Sequence, residues 1–340
     1  MSENKEEYLI GANYYCGWYR CQPNRWQTDG RDWRLDYPGR IPMLGCFNDQ
    51  ATFEAEIEAA ADYGLNFFAL LWYSDEQKEF PFTNETNKCF QMFLKAGNKD
   101  RLRFLTEYCN HPPFQIFDDD VWRRKADLFV QWMKDPSYLR VDGKCVFKFH
   151  SVYYLLQETG MDRERARERV RYLREAARRE GLELLVSAGI VLAGVDEDSR
   201  SILDCFDFLS TYGDIPEVPS RENPYPYEVL EAHAAAGRRE IAAKGEFPYM
   251  PFIQSGWDPR PWKDPRPSFC LPDRMQWRRT LTEMKRALDE CGNLGIPTSR
   301  GVQKAFNIYA WNEFGEGGML APTLGDGFMK LEEIRTVFGK

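Results

Sequence analysis

Several features common in proteins are missing from this sequence of 340 residues. No apolar run is long enough to span a bilayer, and the opening segment, residues 1–7, is acidic with no apolar run behind it. We therefore expect no membrane span and no secretory signal, and we predict a cytoplasmic protein. An excess of positive charge is also missing, since 45 basic and 53 acidic side chains give a net charge of −8. With no basic stripe, no nucleic-acid partner is predicted.

Metal-binding and disulfide spacings are absent as well. The nine cysteines are scattered and include no C-x-x-C pair, which is typical of reduced thiols, so we predict nine free thiols. Of the three histidines, His233 falls within a predicted helix, while His111 and His150 follow different predicted strands. Because no ligand spacing joins them, no metal site is predicted.

Phosphate-binding loops are the third absence. Neither G-x-G-x-x-G nor G-x-x-x-x-G-K-[ST] occurs anywhere in the chain, so no nucleotide or other cofactor is predicted. Aromatic residues, by contrast, are abundant, at 15% with 10 Trp, 17 Tyr and 23 Phe. Most are expected in the core, but aromatic rings also serve as platforms for the apolar faces of sugars.

Short apolar runs alternate with amphipathic segments along the whole chain. Runs with the length and apolar character of buried strands cover residues 8–15, 64–73, 103–109, 144–150, 182–189, 206–212, 249–254 and 305–311. Helical patterns cover 52–63, 87–95, 121–133, 163–179, 198–205, 226–244, 275–291 and 331–338. Strict alternation of eight such units predicts a single-domain (β/α)₈ TIM barrel over residues 1–340, with an open doubly wound sheet as the alternative.

In such barrels the catalytic groups lie at the C-terminal ends of the strands. Two acidic residues, Glu313 and Glu316, stand three apart on a glycine-flanked turn after the eighth predicted strand. If that turn is helical, both carboxylates can face one cavity. Two carboxylates are what glycosidic-bond cleavage requires, so they are the predicted catalytic pair. The structural alternative is that one of them only pairs with an arginine.

Other polar and aromatic residues follow the same strand ends and are predicted to bind substrate. They are Tyr15, Trp18, Trp72, Tyr73, Glu107, Asn110, His111, His150, Tyr212, Trp257, Asp258, Arg260, Trp311 and Asn312. For His111 and His150, a buried structural role is an equal alternative, and about half of the tryptophans are expected only to pack the rim. Carboxylates, amides and indoles on one rim indicate a carbohydrate substrate.

The sequence W-N-E-F-G-E-G at 311–317, together with G-W-D at 256–258, resembles glycoside hydrolase family 99, the endo-α-mannosidase family. The resemblance is closer to its WbsX-like relatives from bacterial polysaccharide loci and extends almost end to end. It implies a retaining, endo-acting glycosidase, with an α-mannoside-like linkage as the first guess. In the implied mechanism Glu313 assists the substrate 2-hydroxyl, and Glu316 is the general acid and then the base.

Three departures from that family pattern lie on the predicted binding rim. Residues 108–111 read Y-C-N-H where the group has W-A-N-E, Ala321 replaces a common acidic residue, and residues 259–261 read P-R-P. These changes bear on sugar specificity rather than on the fold. Two other functions remain as alternatives: a glycosyltransferase of polysaccharide biosynthesis and a non-catalytic carbohydrate-binding barrel.

Overall fold

The computed structural model describes residues 7–21, 24–76, 83–221 and 224–339. Within these residues eight parallel strands follow one another around a barrel. They are β1 (Leu9–Tyr14), β2 (Phe67–Trp72), β3 (Arg103–Tyr108), β4 (Lys144–Phe149), β5 (Leu184–Gly189), β6 (Phe208–Ser210), β7 (Tyr249–Met250 and Phe252–Gln254) and β8 (Ala305–Tyr309). The predicted (β/α)₈ barrel is confirmed.

The ring of strands closes through β7 and β8. The first piece of β7 pairs with β6, and the second piece pairs with β8, which in turn pairs with β1. Pro251 separates the two pieces because proline has no N–H to donate to the ladder, although its carbonyl still accepts a hydrogen bond from Asn307 at 2.9 Å. Every residue of β1 and β2 is buried, as expected for strands covered on both faces.

Helices connect the strands and cover the outside of the barrel. Their bounds are α1 (Gln50–Asp62), α2 (Thr83–Thr86), α3 (Lys88–Lys95), α4 (Asp119–Met133), α5 (Val152–Glu158), α6 (Arg163–Arg179), α7 (Glu197–Arg200), α8 (Tyr227–Lys244), α9 (Arg274–Glu290) and α10 (Met329–Phe338). Several begin at an aspartate whose side chain accepts from the first turn, as Asp118 does from the Val121 amide at 2.9 Å. Apolar side chains from the first five strands, Ile10, Leu70, Leu105, Phe147 and Val186, are all fully buried.

Two connections differ from the sequence prediction. Helix α5 was not predicted, and the segment 198–205 contains only the four-residue α7 followed by a 3-10 turn at Leu203–Cys205.

Residues 1–6, part of the acidic segment used to predict the absence of a secretory signal, lie outside the described residues, as does part of the second crossover. Across the described ranges, no helix is both long and apolar enough to cross a membrane.

Candidate active site

The C-terminal ends of the strands surround a cavity of about 800 Å³. The ends of all eight strands or the loops after them contribute to its wall, because parallel strands in a barrel all end on the same rim. Its lining includes Tyr15, Tyr19, Arg25, Tyr73, His111, Phe114, His150, Tyr154, Tyr212, Asp214, Trp257, Trp262, Arg266, Tyr309, Glu313 and Glu316. Both acidic residues of the predicted pair therefore face one cavity.

A tight turn after β8 positions the two glutamates. Residues Asn312–Glu313 pair antiparallel with Gly318–Met319, and the Glu316 amide donates to the Glu313 carbonyl at 3.1 Å. Glycine is required within this turn. A Cβ on Gly315 would lie 2.1 Å from the Trp262 ring, so the indole can pack against the backbone only because no side chain is there.

Glu313 is almost fully buried, with 5% of its surface exposed. Its Oε1 accepts a long hydrogen bond from the Tyr212 hydroxyl at 3.4 Å. Burial raises the pKa of Glu313 well above its usual range, and the negative charge of Glu316 raises it further. The positive charge of Arg25 opposes this rise. A carboxylate in this setting is a strong base once it has lost its proton.

Glu316 is more accessible, with 18% of its side chain exposed. It accepts a short hydrogen bond from the Tyr309 hydroxyl, and its other oxygen lies 3.3 Å from Arg266. Burial raises the pKa of Glu316, while the Tyr309 hydrogen bond and the Arg266 charge lower it. Because the charge of Glu316 disfavours ionisation of Glu313, one carboxyl of the pair can keep a proton while the other is ionised, as an acid and a base require.

A buried polar network lies beneath the cavity, inside the barrel. The Glu107 carboxylate is 2.8 Å from Lys148 Nζ and accepts from Asn13 Nδ2 at 2.8 Å, and its other oxygen lies 3.4 Å from His150 Nδ1. Burial alone would raise the pKa of Glu107, but the Lys148 charge and the His150 hydrogen bond bring it below its usual value. Glu107 therefore does not line the cavity but supports His150, which does.

His150 connects this network to the catalytic pair. Its ring lies 4.8 Å from the Tyr212 ring, which contacts Glu313, and 5.4 Å from the His111 ring. Burial, together with the nearby His150, lowers the pKa of His111 to about 4, so His111 is neutral near pH 7. His111 can therefore present a polar ring atom to a neutral hydroxyl group.

The predicted binding residues divide into two groups by position. Those on the cavity wall are Tyr15, Tyr73, His111, His150, Tyr212 and Trp257. The remainder are not on that wall: Trp18, Trp72, Glu107, Asn110, Asp258, Arg260, Trp311 and Asn312.

Residues of the second group hold the rim together. The Trp18 indole donates to the Asn312 carbonyl at 2.8 Å, and the Asn312 side chain bonds both the N–H and the carbonyl of Tyr15 at 2.8 Å. Trp72 and Trp311 are buried behind β2 and β8, against Phe129 and Phe68 respectively.

Two polar residues of the second group, which lie off the cavity wall, also hold the rim together. Asn110 bonds the backbone of Ser151, and Asp258 pairs with both Arg40 and Arg260. Asn110 and Asp258 therefore fix loops whose neighbouring residues face the cavity.

Among the wall residues that were not predicted from the sequence, three act directly on the two glutamates through charge or hydrogen bonding. Arg25 lies in a loop with no periodic pattern, Arg266 lies in a proline-rich loop, and Tyr309 falls within a strand where core packing is the default assignment. Among the described residues no group of His, Cys, Asp or Glu side chains is placed to hold a metal ion.

Comparison with known proteins agrees with this architecture. A solved glycoside hydrolase-like protein matches over 98% of this chain and 94% of its own, at 15% identity and a TM-score of 0.63. A family 99 endo-alpha-mannosidase from Bacteroides thetaiotaomicron matches over 97% and 95% of the two chains, at 15% identity and a TM-score of 0.58. An exo-beta-1,4-mannosidase from an Opitutaceae bacterium matches 97% of this chain but 59% of its own, at 14% identity and a TM-score of 0.54.

No family model and no curated protein matches the sequence. The structural matches therefore define the class of fold, a (β/α)₈ barrel, which this chain shares with those solved proteins. Within that class the chain has a fold like that of the family 99 endo-alpha-mannosidases, and the predicted structural resemblance is confirmed.

Proposed function

We propose that this protein is a retaining, endo-acting glycoside hydrolase, with residues 1–340 as its single catalytic domain. The observation that carries the proposal is the pair Glu313 and Glu316, side by side on one cavity wall with raised pKa values. Glycosidic-bond cleavage needs a proton donor for the leaving oxygen and a second carboxylate near the anomeric carbon. The likeness to family 99 structures supports the same assignment.

In the proposed mechanism Glu313 takes the proton of the substrate 2-hydroxyl, whose oxygen attacks the anomeric carbon. Glu316 simultaneously protonates the leaving oxygen, so that an anhydro-sugar forms and the first product departs. A water molecule, deprotonated by Glu316, then opens the anhydro ring, and Glu313 returns its proton to the 2-oxygen. Two inversions give net retention at the anomeric carbon.

The environment of Glu316 suits this role. A general acid must keep its proton near working pH, and burial favours the protonated form. The Arg266 contact does not tie Glu316 up in a structural pair, because Arg266 is 49% exposed and already holds Asp264 through both carboxylate oxygens. A Glu316 carboxyl that no structural pair holds disfavours a non-catalytic sugar-binding barrel.

The cavity also suits a polysaccharide or oligosaccharide of bacterial or host origin. Tyr73, Phe114, Trp257 and Trp262 give it aromatic surfaces on several sides, which can pack against sugar rings. A volume of about 800 Å³ is within the range of clefts that bind sizeable ligands. An α-mannoside linkage is the first one to test.

The proposal is tested by comparing wild type with Glu313→Gln and Glu316→Gln on glycosides with good and poor leaving groups. We expect Glu316→Gln to lose about 10²-fold or more on poor leaving groups and much less on activated aryl glycosides. Glu313→Gln should harm both classes alike, because it removes assistance at the anomeric centre. The control is Glu240→Gln, an exposed helix residue paired only with Lys244, which should behave as wild type. Wild-type activity in either site variant would reject the site.

A further inference from the structure

Arg25 is a cation of the cavity wall to which the proposed mechanism gives no acid or base role. It remains exposed to solvent at the cavity. Its guanidinium carbon lies 5.1 Å from the centre of the Trp262 ring, and the Trp262 indole donates to the Arg25 carbonyl at 3.1 Å. The guanidinium therefore packs against the face of the Trp262 ring, and this cation–π contact positions its charge.

Arg25 differs from the other arginines of this rim in having no acidic partner. Arg266 binds Asp264 through two nitrogens, and Arg260 binds Asp258 in the same way. Among the described residues, no carboxylate lies within ion-pair distance of Arg25. The Tyr15 hydroxyl accepts from one of its N–H groups, and the remaining donors of the guanidinium are available to a ligand.

Two phenols add donors beside this guanidinium. Tyr15 and Tyr19 also line the cavity, and each is 6% exposed. Burial raises the pKa of both phenols, and the charge of Arg25 is the largest influence that opposes the rise. Both hydroxyls therefore keep their protons near pH 7 and can donate. A planar guanidinium with adjacent hydroxyl donors matches a carboxylate, sulfate or phosphate group.

We propose that Arg25, Tyr15 and Tyr19 form a subsite for an anionic substituent, so that the substrate is an acidic glycan. This inference rests on the proposed glycosidase function and specifies its substrate class. Arg25 is near enough to Glu313 to oppose the rise in that carboxyl's pKa. Arg25 lines the same cavity as Glu313 and Glu316, so the charged group is assigned to a sugar unit near the scissile bond. A protein with a net charge of −8 needs such a local cation to hold an anionic chain.

The test is calorimetric titration of the Glu316→Gln protein, which should not turn over its ligands. The probes are methyl α-D-mannoside, methyl α-D-mannuronide, and the 6-sulfate and 6-phosphate of the mannoside, at one fixed ionic strength. At least one anionic probe should bind about tenfold more tightly than the neutral mannoside, the scale of hydrogen bonds to a charged group. The preferred probe identifies the carboxylate, sulfate or phosphate as the natural group.

Adding Arg25→Met should reduce the preference for the anionic probe over the neutral mannoside to about twofold or less. The matched control is Arg31→Met, in the same loop but outside the cavity and paired with Asp36 at 2.8 Å, which should keep the preference. The subsite would be overturned if all probes bound with equal affinity. It would also be overturned if none of the probes bound. So would an equal loss for every probe in Arg25→Met, since Arg25 would then serve only Glu313. Glu316-dependent cleavage of a neutral glycan without anion preference would overturn the subsite alone.

Discussion

The buried pair Lys148–Glu107 gives the sharpest stability prediction. Each side chain is 1% exposed, and the two charged atoms lie 2.8 Å apart. Lys148→Met leaves Glu107 with only the Asn13 amide and the more distant His150 as polar partners. Removing one partner of a buried pair costs about 3–5 kcal/mol because the remaining charge is uncompensated. We expect a loss of that size in the free energy of unfolding at pH 7.

The loss should depend on pH in a defined direction. In the folded wild type the pKa of Glu107 lies below its unfolded value. The ionised Glu107 therefore stabilises the folded protein above the unfolded pKa, and this stabilisation is lost as the pH falls through the folded pKa. Without Lys148, burial dominates and the folded pKa rises above the unfolded one. The variant therefore becomes less stable, relative to wild type, as pH rises from about 4.5 to 7.

Urea denaturation at these two pH values measures the effect. Lys148→Met combined with Glu107→Gln should recover most of the loss, because no buried charge remains. The matched control is Lys134→Met, whose partner Glu180 is on the surface and which should cost no more than about 1 kcal/mol. A loss below about 1 kcal/mol for Lys148→Met, or an equal loss at both pH values, would refute the reasoning.

Three further predictions concern the turn, the pH profile and the thiols. Gly315→Ala should displace the Trp262 ring and cost roughly 1–3 kcal/mol, whereas Gly97→Ala, which has open space around it, should change the urea midpoint little. In Arg266→Met, the alkaline limb of kcat/KM should move to higher pH, because Arg266 lowers the pKa of Glu316; an unmoved or lowered limb would contradict that assignment. Thiol titration of the unfolded, unreduced protein should give nine thiols per chain. Two or more pairs of cysteines oxidised to disulfides, and so absent from the titration, would contradict this.

The sequence predicted the barrel well because each strand is a short apolar run between helices that begin and end at polar signals. It failed where local patterns conflict. Helix α5 was missed because Val152–Glu158 begins with a β-branched and aromatic run directly after β4, and only the Ser151 cap marks its start. The sixth predicted strand, 206–212, is shorter in the structure, at Phe208–Ser210, and Phe206 instead ends the preceding 3-10 turn.

The site was harder to predict than the fold. Strand-end position could find Glu313, Tyr212 and His150, because parallel strands end on one rim. It could not separate cavity walls from the layer behind them. Trp18, for example, has the same strand-end position as its neighbours, but its indole donates inward to a backbone carbonyl. Arg25 is 237 residues from its stacking partner Trp262, and no local pattern predicts such a contact.

The stereochemistry of cleavage tests the central claim most directly. A glycan that the wild type cleaves and Glu316→Gln does not should be followed by proton NMR from the first turnover. Glu313 and Glu316 acting in the proposed roles predict that the first-formed product keeps the anomeric configuration of the bond that was cut, with the other anomer appearing only by later mutarotation. A first-formed product of inverted configuration would contradict these roles.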